Sequence, residues 1–360
     1  MRNADLEREI LAANHDPAAY LVYADWLQSH GDPRGELIIR QIQDRDPQAY
    51  LDEHREHFLG RFATQTPDAF ELEWRGGFIK KAVIGWEEFS GENEGDPSSA
   101  QLEQFLRLES AALIDELLLG PTAHEDELML DELAGAIEAT SPIALRTLLL
   151  GDTGNWDISS THSRMPNSAS IRGLHHLTLR GGSIELGAID LPELRSFTLE
   201  SGGLSQDCLK DLANATWPAL ERLEIWFGDP NYGASGGADD IAPLFTRDVP
   251  TLRVLGLRNC PFADDLVARL LGTPLLAQLT SLDLSMGNLS DRGLDALIAA
   301  KSQLRHLTSI VLDDNALSPE AMKRVGELPN ANFGVEQTPE RAVPRGPDAR
   351  RYQRYVTVGE

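Results

Sequence analysis

Three scarcities bound what this 360-residue chain can be. Cysteine is nearly missing: Cys208 and Cys260 stand alone, too few for a disulfide framework and in keeping with a reducing compartment. Basic residues are outnumbered, with 32 Lys and Arg against 57 Asp and Glu, for a formal charge of −25. Such an excess repels phosphate backbones and anionic lipid surfaces, so neither nucleic acid nor membrane is an expected partner, while a basic protein is compatible. Long apolar runs are lacking as well, none reaching the roughly 18 residues of a membrane span. The opening residues, MRNADLERE, are charged where a signal peptide needs an apolar core, so a cytoplasmic protein is expected.

What is present is a repeat. A pattern of apolar, two variable, apolar, one variable, apolar runs through Ile114-Leu117-Leu119, Leu145-Leu148-Leu150, Leu174-Leu177-Leu179 and Leu194-Phe197-Leu199. It continues through Leu220-Leu223-Ile225, Leu252-Leu255-Leu257, Leu279-Leu282-Leu284 and Leu307-Ile310-Leu312, at steps of 20 to 32 residues. Ile79-Ala82-Ile84 is a weaker, earlier copy. Five residues past the last strand position stands another apolar residue, at Ile184, Leu204, Phe262, Leu289 and Leu317. In three copies a serine follows, Ser205, Ser290 and Ser318, where a hydroxyl can cap the first turn of a helix. Pro319 fits the first helical position. Helical spacing follows at Leu209-Leu212-Ala213, Leu294-Leu297-Ile298 and Met322-Val325. Each unit is therefore a strand, a turn and a helix that buries its apolar stripe only by stacking on its neighbours.

This doubled register resembles the leucine-rich repeat family over residues 76–330, and the longer units are similar to its ribonuclease-inhibitor-type subclass. The resemblance implies an α/β solenoid of about eight or nine repeats: a horseshoe with a parallel sheet on the concave side and helices outside. One departure is plain. The turn position that the family fills with Asn or Cys holds them only at Asn315 and Cys260, so an incomplete side-chain ladder is expected there.

Residues 1–63 follow a different rule. Asp16-Pro17 starts a helix with an apolar stripe of Ala19, Tyr20, Val22, Tyr23, Trp26 and Leu27, and Gly31 can end it in the left-handed conformation. Pro33 opens a second helix and Asp46-Pro47 a third. The string Tyr23-Ala24-Asp25-Trp26-Leu27, followed by Gly31-Asp32-Pro33-Arg34-Gly35-Glu36-Leu37, is similar to the bacterial repeat-companion domain over residues 8–45. That resemblance implies company with leucine-rich repeats and no established chemistry. Packing roles are expected for Trp26, Asp25 and Arg34, with a docking surface as the other reading. The domain reading is then an all-α module at 1–63 capping the solenoid, a connector at 64–75, repeats at 76–330 and a C-terminal tail at 331–360. That tail is relatively basic, with Arg341, Arg345, Arg350, Arg351 and Arg354; it either frays, folds back on the acidic repeats or offers a strand to another protein.

Between the leucines, the variable strand positions face the concave side. They include His176 and Arg180, Glu200, then Arg222, Glu224 and Trp226, then Arg258. Trp226 stands out as an indole expected to face solvent, a residue type enriched where interfaces are strongest. The arginines and glutamates around it either read charged groups on a partner or neutralise one another across strands. Two repeats lose the Leu-Ser register to Gly-rich insertions carrying Trp156 and Tyr232, at 151–170 and 228–240. These loops are expected to overhang the concave face, or to reflect drift in tolerated loops.

Catalytic signatures are not found. The Gly233–Gly237 stretch lacks the Lys-Ser/Thr ending of a phosphate loop. His54 and His57 lack further ligands for a metal, and adjacent His175 and His176 point to opposite faces. Glu125-Asp126-Glu127 and Asp131-Glu132 read as a solvated helix start. No nucleophile stands beside a base and a strained turn. A non-catalytic protein-interaction scaffold without cofactor or metal is the expectation, with an acidic inhibitor that masks a basic enzyme as the alternative. Partner identity and oligomeric state stay open.

Overall fold

The computed structural model describes residues 1–64, 70–85, 98–120, 128–129, 131–151, 161–332, 342–344 and 352–354. The chain forms two compact units, one of Met1–Glu125, Asp131–Leu150 and Ala169–Leu174, the other of Asp126–Leu130, Gly151–Ser168 and His175–Glu360. The helical module and the first strands thus fold as one body.

In the first unit, Asn3 caps a helix at Ala4–Ala12 that the sequence reading did not register. Asp16 caps Pro17–Ser29 as expected, and Gly31, at φ +72°, follows its end. Arg34–Ile42 comes next, and the third expected helix breaks at His54 into Gln48–Glu53 and Arg55–Leu59. Tyr20, Tyr23, Leu27 and Ile38 share a buried cluster with Phe78, Ala112 and Leu113. Arg34 is buried as well, its guanidinium bonded to Asp32 at 2.6 Å and to the Glu109 carbonyl at 2.9 Å. Burial pushes the Asp32 carboxyl up, but the hydrogen bonds from Arg34 outweigh it and hold that carboxyl far below its ordinary range. Of the three residues expected to pack here, Arg34 is buried and Trp26 packs against the same cluster, while Asp25 is exposed. The segment read as a connector carries a strand, Phe70–Arg75, which turns through Gly76-Gly77 into the antiparallel Phe78–Gly85. Phe78–Gly85 then pairs in parallel with Glu116–Gly120, and that strand with Thr147–Leu150.

In the second unit a parallel sheet runs in order through His176–Gly181, Ser196–Ser201, Arg222–Trp226, Val254–Arg258, Ser281–Asp283, Ser309–Val311 and Ala331–Asn332. The register puts each leucine beside its counterpart: Leu177 pairs Phe197, Phe197 pairs Leu223, Leu223 pairs Leu255, and Leu255 pairs Leu282. All five are buried. Helices follow at Gln206–Asn214, Ala263–Leu270, Asp291–Ala299 and Pro319–Arg324. Ser205, Ser290 and Ser318 cap three of them, accepting from the N–H of Cys208, Arg292 and Ala321. The repeat opening at Leu174 departs from this plan. It spans 20 residues, too few for a helix, and Ile184 lies in a strand, Ser183–Glu185, paired with Thr161–Arg164.

The turn ladder is partial, as the composition implies. Asn315 donates to the carbonyls of Leu284 and Leu312, at 2.8 and 3.1 Å, and accepts from the Leu289 N–H at 3.0 Å. Gly287 leaves that side chain its space, since a Cβ there would sit 3.3 Å from the Asn315 Oδ1 and 3.0 Å from the Cys260 carbonyl. At the tail, Ala342–Pro344 pairs antiparallel with Tyr352–Arg354, while 333–341, 345–351 and 355–360 lie outside the described residues. No helix among the described residues is long and apolar enough to cross a membrane.

Candidate functional site

Strand alternation sends leucines to one side of the second unit's sheet and the variable positions to the other. On that second side the register lines up Arg180, Glu200, Trp226 and Arg258 across four adjacent strands. A neighbouring row runs through Thr178, Thr198, Glu224, Gly256 and Asp283. His176, Ser196, Arg222 and Val254 form a third.

Glu224 is the hub. Its carboxylate accepts from the Trp226 indole N–H at 3.0 Å, from Arg258 Nη1 at 2.6 Å and from Arg222 Nη2 at 2.9 Å. Burial pushes this carboxyl up, but the three donors together hold it below its ordinary range. It reaches Arg258 on the next strand because Gly256 stands between them: a Cβ there would lie 3.0 Å from the Glu224 Cγ. Arg258 stacks its guanidinium 4.8 Å from the Trp226 ring centroid and donates through Nε to Ser285 at 3.1 Å. Its Nη2 lies 2.9 Å from the Met286 sulfur, and its Nε 3.5 Å from Asp283.

Trp226 therefore does not face solvent. It is 6% exposed, packed on Met286 beneath Arg258. An indole laid flat on a sheet buries its ring against cross-strand neighbours, and the Glu224 carboxylate satisfies its N–H. Arg222 is the projecting group, its side chain 51% exposed while Glu224 tethers one of its nitrogens. Arg180 and Glu200 pair at 3.2 Å. Burial pushes the Glu200 carboxyl up; Arg180 lowers it less, and the nearby Glu224 charge adds to the rise. His176 is exposed at the end of its row.

The 228–240 insertion does not join this cluster. Asp229 N–H donates to the Gly202 carbonyl at 2.7 Å, Ser235 N–H to the Leu204 carbonyl at 2.9 Å, and Ser235 Oγ accepts from Gln206 at 3.0 Å. The Tyr232 carbonyl lies against Gly203, where a Cβ would collide with it. The loop is thus laid along the turn after Ser196–Ser201 rather than over the strand rows. Trp156 and residues 152–160 lie outside the described residues.

Sequence reasoning missed Met286 and the part played by Gly256. The signal for Met286 was positional. Asn259, Met286 and Asp314 each stand two residues past the last strand leucine, and all three are left-handed, at φ +50°, +66° and +55°. Asn and Asp tolerate that conformation; a methionine held there costs about 1–2 kcal/mol, and such strain collects at functional sites.

No protein-family model matches the chain, and no curated protein does. Among solved structures, a protein of Bacteroides fragilis is 23% identical, with a TM-score of 0.63 over 78% of this chain and 77% of that one, which shows a shared fold. An internalin of Listeria monocytogenes is 14% identical, covering 71% of this chain and 87% of its own, with a TM-score of 0.26. The leucine-rich repeat-containing protein LegL7 of Legionella pneumophila is 18% identical over 68% and 84%, with a TM-score of 0.32. The chain's own repeat is an α/β arrangement of stacked units, with leucines in register across parallel strands and capped helices between them.

Proposed function

We propose that this chain is a non-catalytic recognition protein that holds a protein partner on the open strand face of its second unit, the face a leucine-rich repeat makes concave. The observation that carries this reading is the Glu224 hub. Three donors from two strands fix one buried carboxylate, and Arg258 is locked over Trp226, so the surface is organised before a partner arrives. Pre-organised side chains lose little freedom on binding, which leaves more of the contact energy as affinity. Arg222 is the projecting anchor, with His176 two strands away in the same row; Trp226 acts from beneath, as the floor. Arg180, Glu200, Arg258 and Asp283 supply a mixed-charge rim suited to charged groups of both signs. Trp156 and Tyr232 belong to flanking loops in this reading.

The 1–63 module is read as a repeat-companion domain that covers the first repeat, since an open repeat end exposes apolar core. A second reading, an acidic inhibitor of a basic enzyme with ribonuclease-inhibitor-like repeats, is favoured by the charge of −25. Quantitative mass spectrometry of proteins co-purifying with the wild type and with Arg222→Ala/Arg258→Ala tests both. A protein held by the wild type and lost by the folded variant supports the strand face. A partner of high pI, released steeply by salt, supports the inhibitor. Equal recovery moves the site to another surface.

A further inference from the structure

A second site stands in the first unit. Tyr20, Gln41, Arg45, Trp74, Arg75 and Gly76 are among the residues that line a cavity of about 500 Å³, within the range that small ligands occupy. Its floor is closely built: Gly76, at φ +54°, lies against the Tyr20 ring so tightly that a Cβ would collide with it.

The polar lining is almost all donor. Arg75 donates to His15 Nε2 at 3.1 Å and to Asp115 at 3.3 Å. A guanidinium can only donate, so His15 Nε2 accepts and Nδ1 carries the proton that meets the Tyr20 oxygen at 2.8 Å. The Tyr20 hydroxyl, already accepting, keeps its own proton to give. Burial lowers the His15 pKa and the Arg75 charge adds to this, which keeps the ring neutral and the relay in this sense. Gln41 spends its oxygen on the Gly77 N–H at 2.8 Å, which leaves its amide N–H groups to donate. The Arg45 N–H bonds the Arg40 carbonyl at 2.9 Å, but its guanidinium and the Trp74 indole N–H have no hydrogen-bond partner among the described residues. Asp44 is the one acid in the lining, and it is exposed.

We propose that this cavity binds a carboxylate carried on a flat apolar body. Gln41, Arg45 and the Tyr20 hydroxyl would meet the carboxylate, and Trp74, Ile42, Pro17 and Pro47 the apolar part. The observation that points this way is the run of side-chain donors without acceptors, which calls for an acceptor-rich ligand; Arg75 is neutralised by Asp115, so Arg45 is the cation left for the ligand. The same chemistry is found in free aryl acids and in the C-terminal phenylalanine of a peptide, and the test separates these sources.

Isothermal titration of the full chain is run with phenylacetate, phenylacetamide, a short acetylated peptide ending in phenylalanine carboxylate, and the same peptide as its amide. The expected result is saturable binding of at least one acid, with its amide weaker by about tenfold or more. Gln41→Glu retains the acceptor for Gly77 and removes the donors, so it should abolish binding. Arg45→Ala, at an exposed side chain without a partner, should weaken binding about two- to fivefold without moving the urea midpoint, and it carries the test should Gln41→Glu not fold. Binding of the free acid alone assigns the site to small acids, and binding of the peptide acid alone to chain termini. Equal binding of acid and amide, indifference to Arg45→Ala, or no saturation by roughly 10 mM of either acid would overturn the proposal.

Discussion

Arg258 lies with its guanidinium 4.8 Å from the centroid of the Trp226 indole, and both residues bond the same carboxylate, Glu224, at 2.6 and 3.0 Å. The three groups close a ring of contacts across two strands, in which each holds another in place. Glu224 neutralises Arg258, Arg258 covers Trp226, and Trp226 orients Glu224 through its N–H. This closure turns a solvent-facing sheet position into a rigid platform.

Trp226→Phe keeps a ring beneath Arg258 and removes the N–H from Glu224. A hydrogen bond to a charged group is worth about 1.5–3 kcal/mol, so a loss near the lower value is expected, as Arg258 and Arg222 remain on the carboxylate. Glu224→Gln should cost more, because it removes the charge that two arginines share. Urea unfolding of each variant against the wild type checks the order. If Glu224→Gln is the milder change, the hub is not what organises this face.

The two glutamates should titrate in opposite senses. The Glu200 carboxyl is raised above its ordinary value of 4.5 by burial, and that of Glu224 is held below it by its donors. For Glu224 the stabilising contribution is present above the unfolded pKa and is lost as pH falls through the lower folded one. Glu200 has the reverse sign, since its folded form takes a proton more readily than the unfolded chain and its burial penalty is relieved on acidification. Side-chain carboxyl NMR should therefore give a Glu200 midpoint above 4.5 and a Glu224 midpoint below it. Glu200→Gln should remove the first effect and leave the second. Coincident midpoints would contradict the donor arrangement around Glu224.

The repeat was legible in the sequence because its signals are local. Leucine spacing, the Ser205, Ser290 and Ser318 caps and Gly31 each report a backbone need at a single position. Trp226 was misplaced for the opposite reason. Whether an indole on a sheet faces solvent depends on what its cross-strand neighbours are free to cover. Gly256, Arg258 and Met286 lie 30, 32 and 60 residues further along the chain. The course of the 228–240 loop, left open between overhang and drift, was not legible because backbone groups of Gly202 and Leu204 hold it and no side-chain pattern announces them. The absent helix after Ile184 was open to sequence reading from the 20-residue step alone.

Asn315 gives a test of the turn ladder. Asn315→Asp exchanges the donor to Leu284 and Leu312 for a second acceptor and places a charge against their carbonyls, so it should destabilise by about 1–3 kcal/mol. Asn315→Ala leaves the same carbonyls and the Leu289 N–H unpaired without the added repulsion. The aspartate variant should be the less stable at neutral pH and should recover part of the difference on acidification, when its carboxyl becomes a donor again. Thermal or urea unfolding at two pH values settles the point. Equal stability at both would mean that water replaces this side chain.

The capping serines differ in a way that separates the helix cap from contacts between repeats. The Ser205 hydroxyl accepts from the Cys208 N–H at 3.2 Å and no carboxylate of a neighbouring repeat is described against it. Ser290 accepts from Arg292 N–H at 3.2 Å and also donates through Oγ to Asp264 of the preceding repeat at 2.5 Å, with its own N–H bonded to the other oxygen of that carboxylate at 2.8 Å. Ser318 repeats the pattern on Asp291, at 2.7 and 2.9 Å. Loss of a serine cap costs about 1 kcal/mol, and a hydrogen bond to a carboxylate adds about 1.5 kcal/mol or more. Ser290→Ala and Ser318→Ala should therefore each destabilise more than Ser205→Ala. In an Asp264→Ala background the excess at Ser290 should vanish while the excess at Ser318 persists, because the carboxylate belongs to one repeat boundary only. A double-mutant cycle by urea unfolding measures the coupling directly. If Ser290→Ala costs the same with and without Asp264, the serines act as caps within each repeat and do not tie one repeat to the next.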